Sequence, residues 1–313
     1  MVPLPSVFDC VLQLVGATPV VKLRRVSEAG AAEILLKLEQ FNPSGSFKDR
    51  AAVAMVEQAM SDGLLQSGGT LIEATCGNMG IALAMICALK GVQLILTMPE
   101  SMSLEQRLVL QAYGARLELT PAHLQMAGAI ARAKELLAET PGGLFLRQYE
   151  NRENVEAHAK TTGSEIVATI RAEGGQIDAF LMGVGTGGTI SGVGRALKQA
   201  FPEVLVLAVH PRQGPALSGA EGAPHRIQGI GAGFEPELLD HSVVDRAITV
   251  DDRSAWEMAQ RLAREEGILA GISTGAHVEA ALHIARQLGA GRRVLTLCCD
   301  SGDRYFSLGE RFS

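Results

Sequence analysis

Aromatic residues are scarce in this chain. One Trp, three Tyr and nine Phe make up 4% of its 313 residues, while glycine numbers 35. Few aromatics and many glycines suit a protein with many tight strand-to-helix turns. Cysteines are also few: Cys10, Cys76, Cys87, Cys298 and Cys299. An odd number without metal-type spacing argues against a disulfide framework or a zinc site, and points to free thiols in a reducing cytoplasm. Cys298 and Cys299 are adjacent in a strand and face opposite sides, so they are not expected to pair. No apolar run approaches membrane-spanning length; the longest, from Gly80 to Leu89, is helix-like. A positive excess is missing: 28 Lys and Arg stand against 34 Asp and Glu, a net charge of −6. Nucleic acids and anionic membranes, which need clustered positive charge, are therefore not expected partners. The opening MVPLPSVFDC has no basic region followed by an apolar stretch, so no secretory signal is expected. Internal repeats, low-complexity tracts and flexible linkers are absent too.

What is present is a balance of 47% hydrophobic and 20% charged residues, which suits a folded chain with a large core. Short apolar runs alternate with amphipathic ones. The strand-like runs begin at Glu33, Thr70, Val92, Ala115, Asp178, Val204, Val243 and Arg293. The helical ones span Lys48 to Asp62, Met79 to Leu89, Ser103 to Tyr113, His123 to Ala138, Asn154 to Arg171, Thr189 to Ala200, Asp251 to Glu266 and Thr274 to Leu288. This alternation predicts an α/β protein with two doubly wound, mostly parallel sheets. The division falls near Glu150: a smaller α/β domain over 41–150, and a larger one from 1–40 with 151–313. Ligands in such sheets sit beyond the carboxyl ends of the strands, so residues there carry the functional reading.

Four stretches stand out. In MGVGTGGTISGVGRAL an apolar strand runs into Gly183, Gly185, Gly187 and Gly188, and a helix starts near Thr189. Glycines let the backbone approach an anion, and the helix start offers free N–H groups and a positive dipole end. Thr186 and Thr189 add hydroxyls. A tight turn with close strand–helix packing explains some of this, but four glycines favour a phosphate site. Gly183, Gly185 and Gly188 also fit a dinucleotide fingerprint, yet the next strand ends at His210 and Pro211 rather than at an acidic residue, which disfavours a nicotinamide cofactor. In FNPSGSFKDRAAVAM, Lys48 sits at a helix start, where its charge opposes the dipole. An amine so placed is less basic, as a Schiff-base lysine needs. Lysine and phosphate loop together point to pyridoxal phosphate. In LIEATCGNMGIALAMICAL the loop Thr75 to Asn78 precedes a long helix, and can hold a substrate carboxylate or simply cap the helix. In ILAGISTGAHVEAAL, Ser273 or Thr274 is either a cap or a partner for a cofactor ring nitrogen.

These stretches resemble the fold type II, tryptophan synthase β-like pyridoxal phosphate enzymes, and specifically the cysteine synthases, or O-acetylserine sulfhydrylases. The resemblance runs in order through GATPVVKL, KLEQFNPSGSFKDR, IEATCGNMGIALAM, MPESMSLEQRLVLQAYGA, MGVGTGGTISGVGR, IQGIGAGFEPELLD, GILAGISTGA and CDSGDRYFS. IEAT with GIALAMI, and CDSGDRY, lean to the B branch; IQGIGAGF leans to the A branch. The resemblance implies that Lys48 attaches the cofactor and then moves the Cα proton. It implies that Gly185, Thr186, Gly187, Gly188 and Thr189 hold the phosphate, Asn78 the ring hydroxyl and Ser273 the ring nitrogen. Thr75, Cys76, Gly77, Met79 and Gln148 would surround the substrate carboxylate. The implied reaction is β-replacement on O-acetylserine, with sulfide giving cysteine, in a cytoplasmic homodimer.

The chain also departs from the family. The usual Thr-Ser-Gly-Asn-Thr loop reads Thr75-Cys76-Gly77-Asn78-Met79 here. A thiol donates weakly and a thioether not at all, so side-chain donors to the carboxylate are lost. At roughly 1.5–3 kcal/mol per hydrogen bond to a charge, an unchanged substrate would bind tens of times more weakly unless the loop compensates. Ala17 replaces an asparagine, and His210 an acidic residue; His210 is given no role. Arg212 and Arg226 border the expected mouth and suit either solvent or a phosphorylated substrate. Cys76, near a helix start, is expected to be more acidic than a free thiol. Three other readings follow. One is related β-replacement or β-elimination chemistry of the cystathionine β-synthase or serine dehydratase kind, with no regulatory domain expected beyond Ser313. Another is a weakly active paralogue that binds a partner, and the last is a nicotinamide enzyme.

Overall fold

The computed structural model describes residues 7–214 and 225–311. The first residues of the N-terminal segment, read above for a secretory signal, lie outside that range. After a short 3₁₀ turn (Val11–Leu14) come β1 (Val20–Leu23) and β2 (Glu33–Leu38), then α1 (Lys48–Ser61), β3 (Thr70–Ala74) and α2 (Asn78–Lys90). Next come β4 (Gln93–Pro99), α3 (Leu104–Ala112), β5 (Arg116–Thr120), α4 (Gln125–Glu139) and β6 (Leu144–Phe145). After α5 (Glu153–Ala157) a π-helical turn (His158–Gly163) leads into α6 (Ser164–Ala172). The last part holds β7 (Ala179–Gly183), α7 (Gly188–Ala200), β8 (Leu205–Pro211), β9 (Arg246–Val250), α8 (Asp252–Arg261), α9 (Ile272–Leu288) and β10 (Arg293–Cys298).

Two sheets result. One has the order β1-β2-β10-β7-β8-β9, parallel except for the antiparallel β1–β2 pair. The other is wholly parallel, in the order β5-β4-β3-β6. Strand alternation sorts each sheet's residues onto two faces. Ile34, Leu36, Leu181, Leu207 and Val209 pack with α8 and α9. Their neighbours Leu35, Phe180, Val206 and Ala208 pack with α6 and α7. In the smaller sheet, Leu71, Leu94 and Leu96 meet α1 and α2, while Ile72, Ala74 and Ile95 meet α4. Both faces are covered, as parallel sheets require. Helix α2 is buried all round from Asn78 to Cys87, which explains its nearly uninterrupted apolar sequence.

All eight strand-like runs and all eight helical stretches read from the sequence overlap a corresponding element, but the stretch from Asn154 to Arg171 is broken by the π-helical turn into α5 and α6, and that from Asp251 to Glu266 ends in a π-helical turn at Leu262–Glu266. The sequence reading missed β1 and β6, which are too short for periodicity to register, and a 3₁₀ segment at Gly302–Arg311. No helix among the described residues is long and apolar enough to cross a membrane.

Candidate active site

The carboxyl ends of β3, β7 and β10 and the starts of α1, α2, α7 and α9 converge on one cavity. Lys48, Cys76, Asn78, Met79, Gln148, Gly185, Thr186, Gly187, Thr189 and Ser273 all line it. Three other residues singled out in the sequence, Thr75, Gly77 and Gly188, lie in the same loops but behind its wall. Tyr149, Cys299 and Tyr305 also line it, and were not identified from the sequence.

Lys48 is the first residue of α1 and is buried. Its amine lies 4.7 Å from the centre of the Phe47 ring. Burial pushes its pKa below the usual lysine value, with the Cys76 and Cys299 thiols pulling the other way. The turn before it is held by Asp49, whose carboxylate accepts the Ser44 N–H at 2.7 Å and bonds the Ser44 hydroxyl. Phe47 N–H donates to the Cys299 carbonyl at 3.0 Å, tying that turn to the end of β10.

The glycine loop after β7 ends at Gly187, the N-cap of α7, with φ 83°. That left-handed conformation favours glycine, and a Cβ there would also fall 2.7 Å from the Leu239 N atom. A Cβ at Gly185 would fall 2.6 Å from the Gly229 carbonyl oxygen. The loop is thus shaped for bare backbone facing the cavity. The Thr186 hydroxyl accepts from Asn154 Nδ2 at 3.1 Å, and the same amide donates to the Gln148 carbonyl at 3.0 Å. Asn154, missed in the sequence because its partners lie on other loops, joins the glycine loop to Gln148.

The loop before α2 is organised by Thr75. Its oxygen accepts the N–H groups of Gly77 and Gly80, both at 3.0 Å, which is a helix-capping role. Asn78 is the first residue of α2, and its amide orientation is fixed from outside. Nδ2 donates to Asp300 at 2.5 Å and Oδ1 accepts from Arg304. Tyr305 also bonds the Asp300 carboxylate. Gln148 Nε2 donates to the Ala74 carbonyl at 2.6 Å. Behind these groups, the fully buried Glu73 accepts N–H bonds from Ala74 and Gln148 at 3.0 and 3.3 Å. Burial pushes its carboxyl up to about 8.

Two expectations need correction. Ser273 and Thr274 cap nothing: α9 starts at Ile272 with Gly271 as its N-cap, Ser273 faces the cavity, and Thr274 accepts the Cys299 N–H at 3.0 Å. Cys76 is not acidified. Burial pushes its thiol up, and this outweighs the pull of Lys48. Of the two arginines expected near the mouth, Arg226 lines an adjoining outer cavity of about 380 Å³, whereas Arg212 lines a separate hollow with Asp251 and Glu279. His210 is buried and lowered to about 4 by that burial. All five cysteines are free.

The donor set fits a phosphorylated aldehyde cofactor. A buried amine of lowered basicity, a helix start with glycine approach, an oriented amide and a neutral hydroxyl surround one space. Comparison with known proteins points the same way. A family model described as pyridoxal-phosphate dependent enzyme matches residues 11–300. The chain is 50% identical over 299 residues to a cysteine synthase of Staphylococcus aureus (strain N315), covering 96% of each. Its fold is similar to an O-ureido-L-serine synthase, with a TM-score of 0.92 and 42% identity over 96% of this chain and 94% of the other. It is also similar to an O-acetylserine dependent cystathionine beta-synthase from Helicobacter pylori, with a TM-score of 0.91 and 34% identity over 97% of this chain and 98% of the other.

Proposed function

Because the chain belongs to the pyridoxal-phosphate dependent enzymes, and is an enzyme of the cysteine synthase type, we propose that it catalyses β-replacement on O-acetyl-L-serine, with sulfide as the nucleophile and L-cysteine and acetate as products. The observation that carries this is the burial of the Lys48 amine in one cavity with the glycine-rich start of α7, Asn78 and Ser273.

In this reading the Lys48 amine would hold the cofactor and would move the Cα proton of the substrate. Burial lowers the basicity of this amine, which favours the neutral form that a proton acceptor needs. The backbone of Gly185 and Gly187, with the Thr186 and Thr189 hydroxyls and Gly188 in the loop behind them, would hold the phosphate. With Arg304 on Oδ1 and Asp300 on one N–H, Asn78 has a single N–H left for the ring oxygen. Ser273 meets the ring nitrogen with a neutral hydroxyl and does not force a proton onto it. Bound pyridoxal phosphate supplies the electron sink for the pair released at Cα. Cys76, Met79 and Gln148 form the carboxylate side of the pocket, with Thr75 and Gly77 in the loop behind them. We further propose a homodimer in the cytoplasm, with residues 41–150 as the smaller domain and 1–40 with 151–313 as the larger.

One observation favours a second reading of the nucleophile. The outer cavity, lined by Pro99, Met102, Met126 and Ile227 among others, offers about 380 Å³, far more than sulfide needs. An organic thiol would fill it better. The test is the visible spectrum of the purified holoenzyme. Addition of O-acetylserine should move its band to the red, and sulfide should restore it with release of cysteine. A spectrum indifferent to O-acetylserine removes that substrate. A band that a thiol amino acid discharges faster than sulfide at equal concentration selects the second reading.

A further inference from the structure

The segment Ser103-Leu104-Glu105-Gln106 at the start of α3 has the S-x-x-Q pattern of a helix capping box. In such a box the serine oxygen takes the N–H of the third helical residue, and the glutamine side chain reaches back to the serine N–H. Neither bond is made here. The Ser103 hydroxyl and both polar atoms of the Gln106 amide are buried without a hydrogen-bond partner. Gln106 is fully buried, which makes two unpaired groups in one amide costly to keep.

The amide packs instead against the loop before α2. A Cβ built on Gly77 would lie 2.4 Å from Gln106 Oε1 and 2.5 Å from Nε2. Gly77 has φ 134°, a conformation that side chains rarely adopt. The Gln106 amide therefore occupies the space over the bare Cα of the loop that has lost its serine and threonine hydroxyls to Cys76 and Met79. A loop that turns N–H groups toward a carboxylate turns the carbonyls of the same peptide units the other way. The Gly77 carbonyl already takes the Ile81 N–H at 3.0 Å, so the carbonyls that need a donor are those of Thr75 and Cys76, and Gln106 Nε2 is an unused donor beside them.

We propose that Gln106 is a positioning residue for the carboxylate-binding loop: its amide takes up loop backbone groups when an amino acid binds, and so holds the loop N–H groups on the substrate carboxylate in place of the missing side-chain donors. The inference rests on the reading of loop 75–79 as the carboxylate site. It makes Gln106 free of any contact with substrate or cofactor, and an unpaired amide only while the amino-acid site is empty.

The test compares the holoenzyme with its Gln106→Leu variant, which keeps the volume and removes both polar atoms. Thermal unfolding is followed without amino acid, and the cofactor band is titrated with L-serine and with O-acetylserine. The expected result is an unchanged resting spectrum, an unfolding temperature equal to or above that of the parent, and about tenfold weaker binding of both amino acids, seen as raised KM with little change in kcat. Gln106→Glu, which can still complete the capping box but brings only acceptors to the loop, should weaken binding at least as much. A Gln106→Leu variant that unfolds earlier and binds amino acids as the parent does would make the residue a simple helix cap and overturn the proposal. If the parent's band responds to no amino acid at all, the carboxylate reading of the loop fails first, and the proposal with it.

Discussion

Ala17 carries strain that the sequence announces. Its φ of 49° is left-handed, a region that costs a residue with a Cβ roughly 1–2 kcal/mol and that asparagine tolerates better. The asparagine usual at this place in the resembled family thus has a conformational reason. Ala17 N–H donates to Glu165 at 2.9 Å, and this bond would survive a change of side chain at the exposed site. Ala17→Asn is expected to stabilise the protein by about 0.5–1 kcal/mol, read as a higher urea midpoint at unchanged slope. A lower midpoint would mean that the backbone at 17 is relaxed. Glu165 itself belongs to a buried cluster with Lys37, Glu39 and Arg50, two residues from Lys48. Glu165 is held at about 2, because Arg50 and Lys37 outweigh its partial burial.

At the scale of the element, the end of β3 links proton binding to the shape of the site. Glu73 touches both Ala74 and Gln148, and its carboxyl is raised to about 8 in the folded chain against an ordinary 4.5. Between those values the folded chain holds a proton that the unfolded chain has released. The contribution of Glu73 to stability is therefore fully present below about pH 4.5 and declines as pH rises toward 8. Replacing Glu73 with Gln removes that decline. The urea midpoint of Glu73→Gln, measured relative to the parent, should rise between pH 5 and pH 8; a constant difference would show that Glu73 is ionised throughout. This coupling was not legible in the sequence, nor was the Asp300–Asn78–Arg304 set, because the partners lie more than 200 positions apart for Asn78 and 75 for Glu73. The core strands were legible because their apolar runs are long, and so were the glycine loop and Lys48, whose chemistry is local. Cys76 was misjudged for the converse reason: proximity to a helix start is local, but the burial that decides its acidity is not.

For the molecule as a whole, the cavity draws on both sheets. Lys48, loop 75–79 and Gln148 come from the side of the smaller sheet, while the loop after β7, Ser273 and Tyr305 come from the larger. A ligand that binds this shared space only in the folded state must stabilise both together. At free cofactor a hundredfold above its dissociation constant, the gain is about 2.7 kcal/mol. Stripping the cofactor should lower the unfolding temperature of the whole protein in one cooperative transition, and re-adding pyridoxal phosphate should restore it. Two separate transitions after stripping would show that the sheets are stable independently.

The strand order also sets a timetable for synthesis. β2 emerges early, yet its parallel neighbour is β10, and Glu33 pairs with Arg293. The smaller sheet has all its strands once Phe145 is made, while β2 still has an open edge. β1 covers one edge of β2, while the other waits for nearly the whole remaining chain. An unpaired apolar strand is the kind of surface that binds wrong partners. A ribosome that stalls or releases the chain before β10 therefore leaves a finished small sheet beside a sticky, half-built large one. Such fragments would be selectively captured by chaperones or degraded, and only a chain translated through Tyr305 could close the pocket and retain its cofactor.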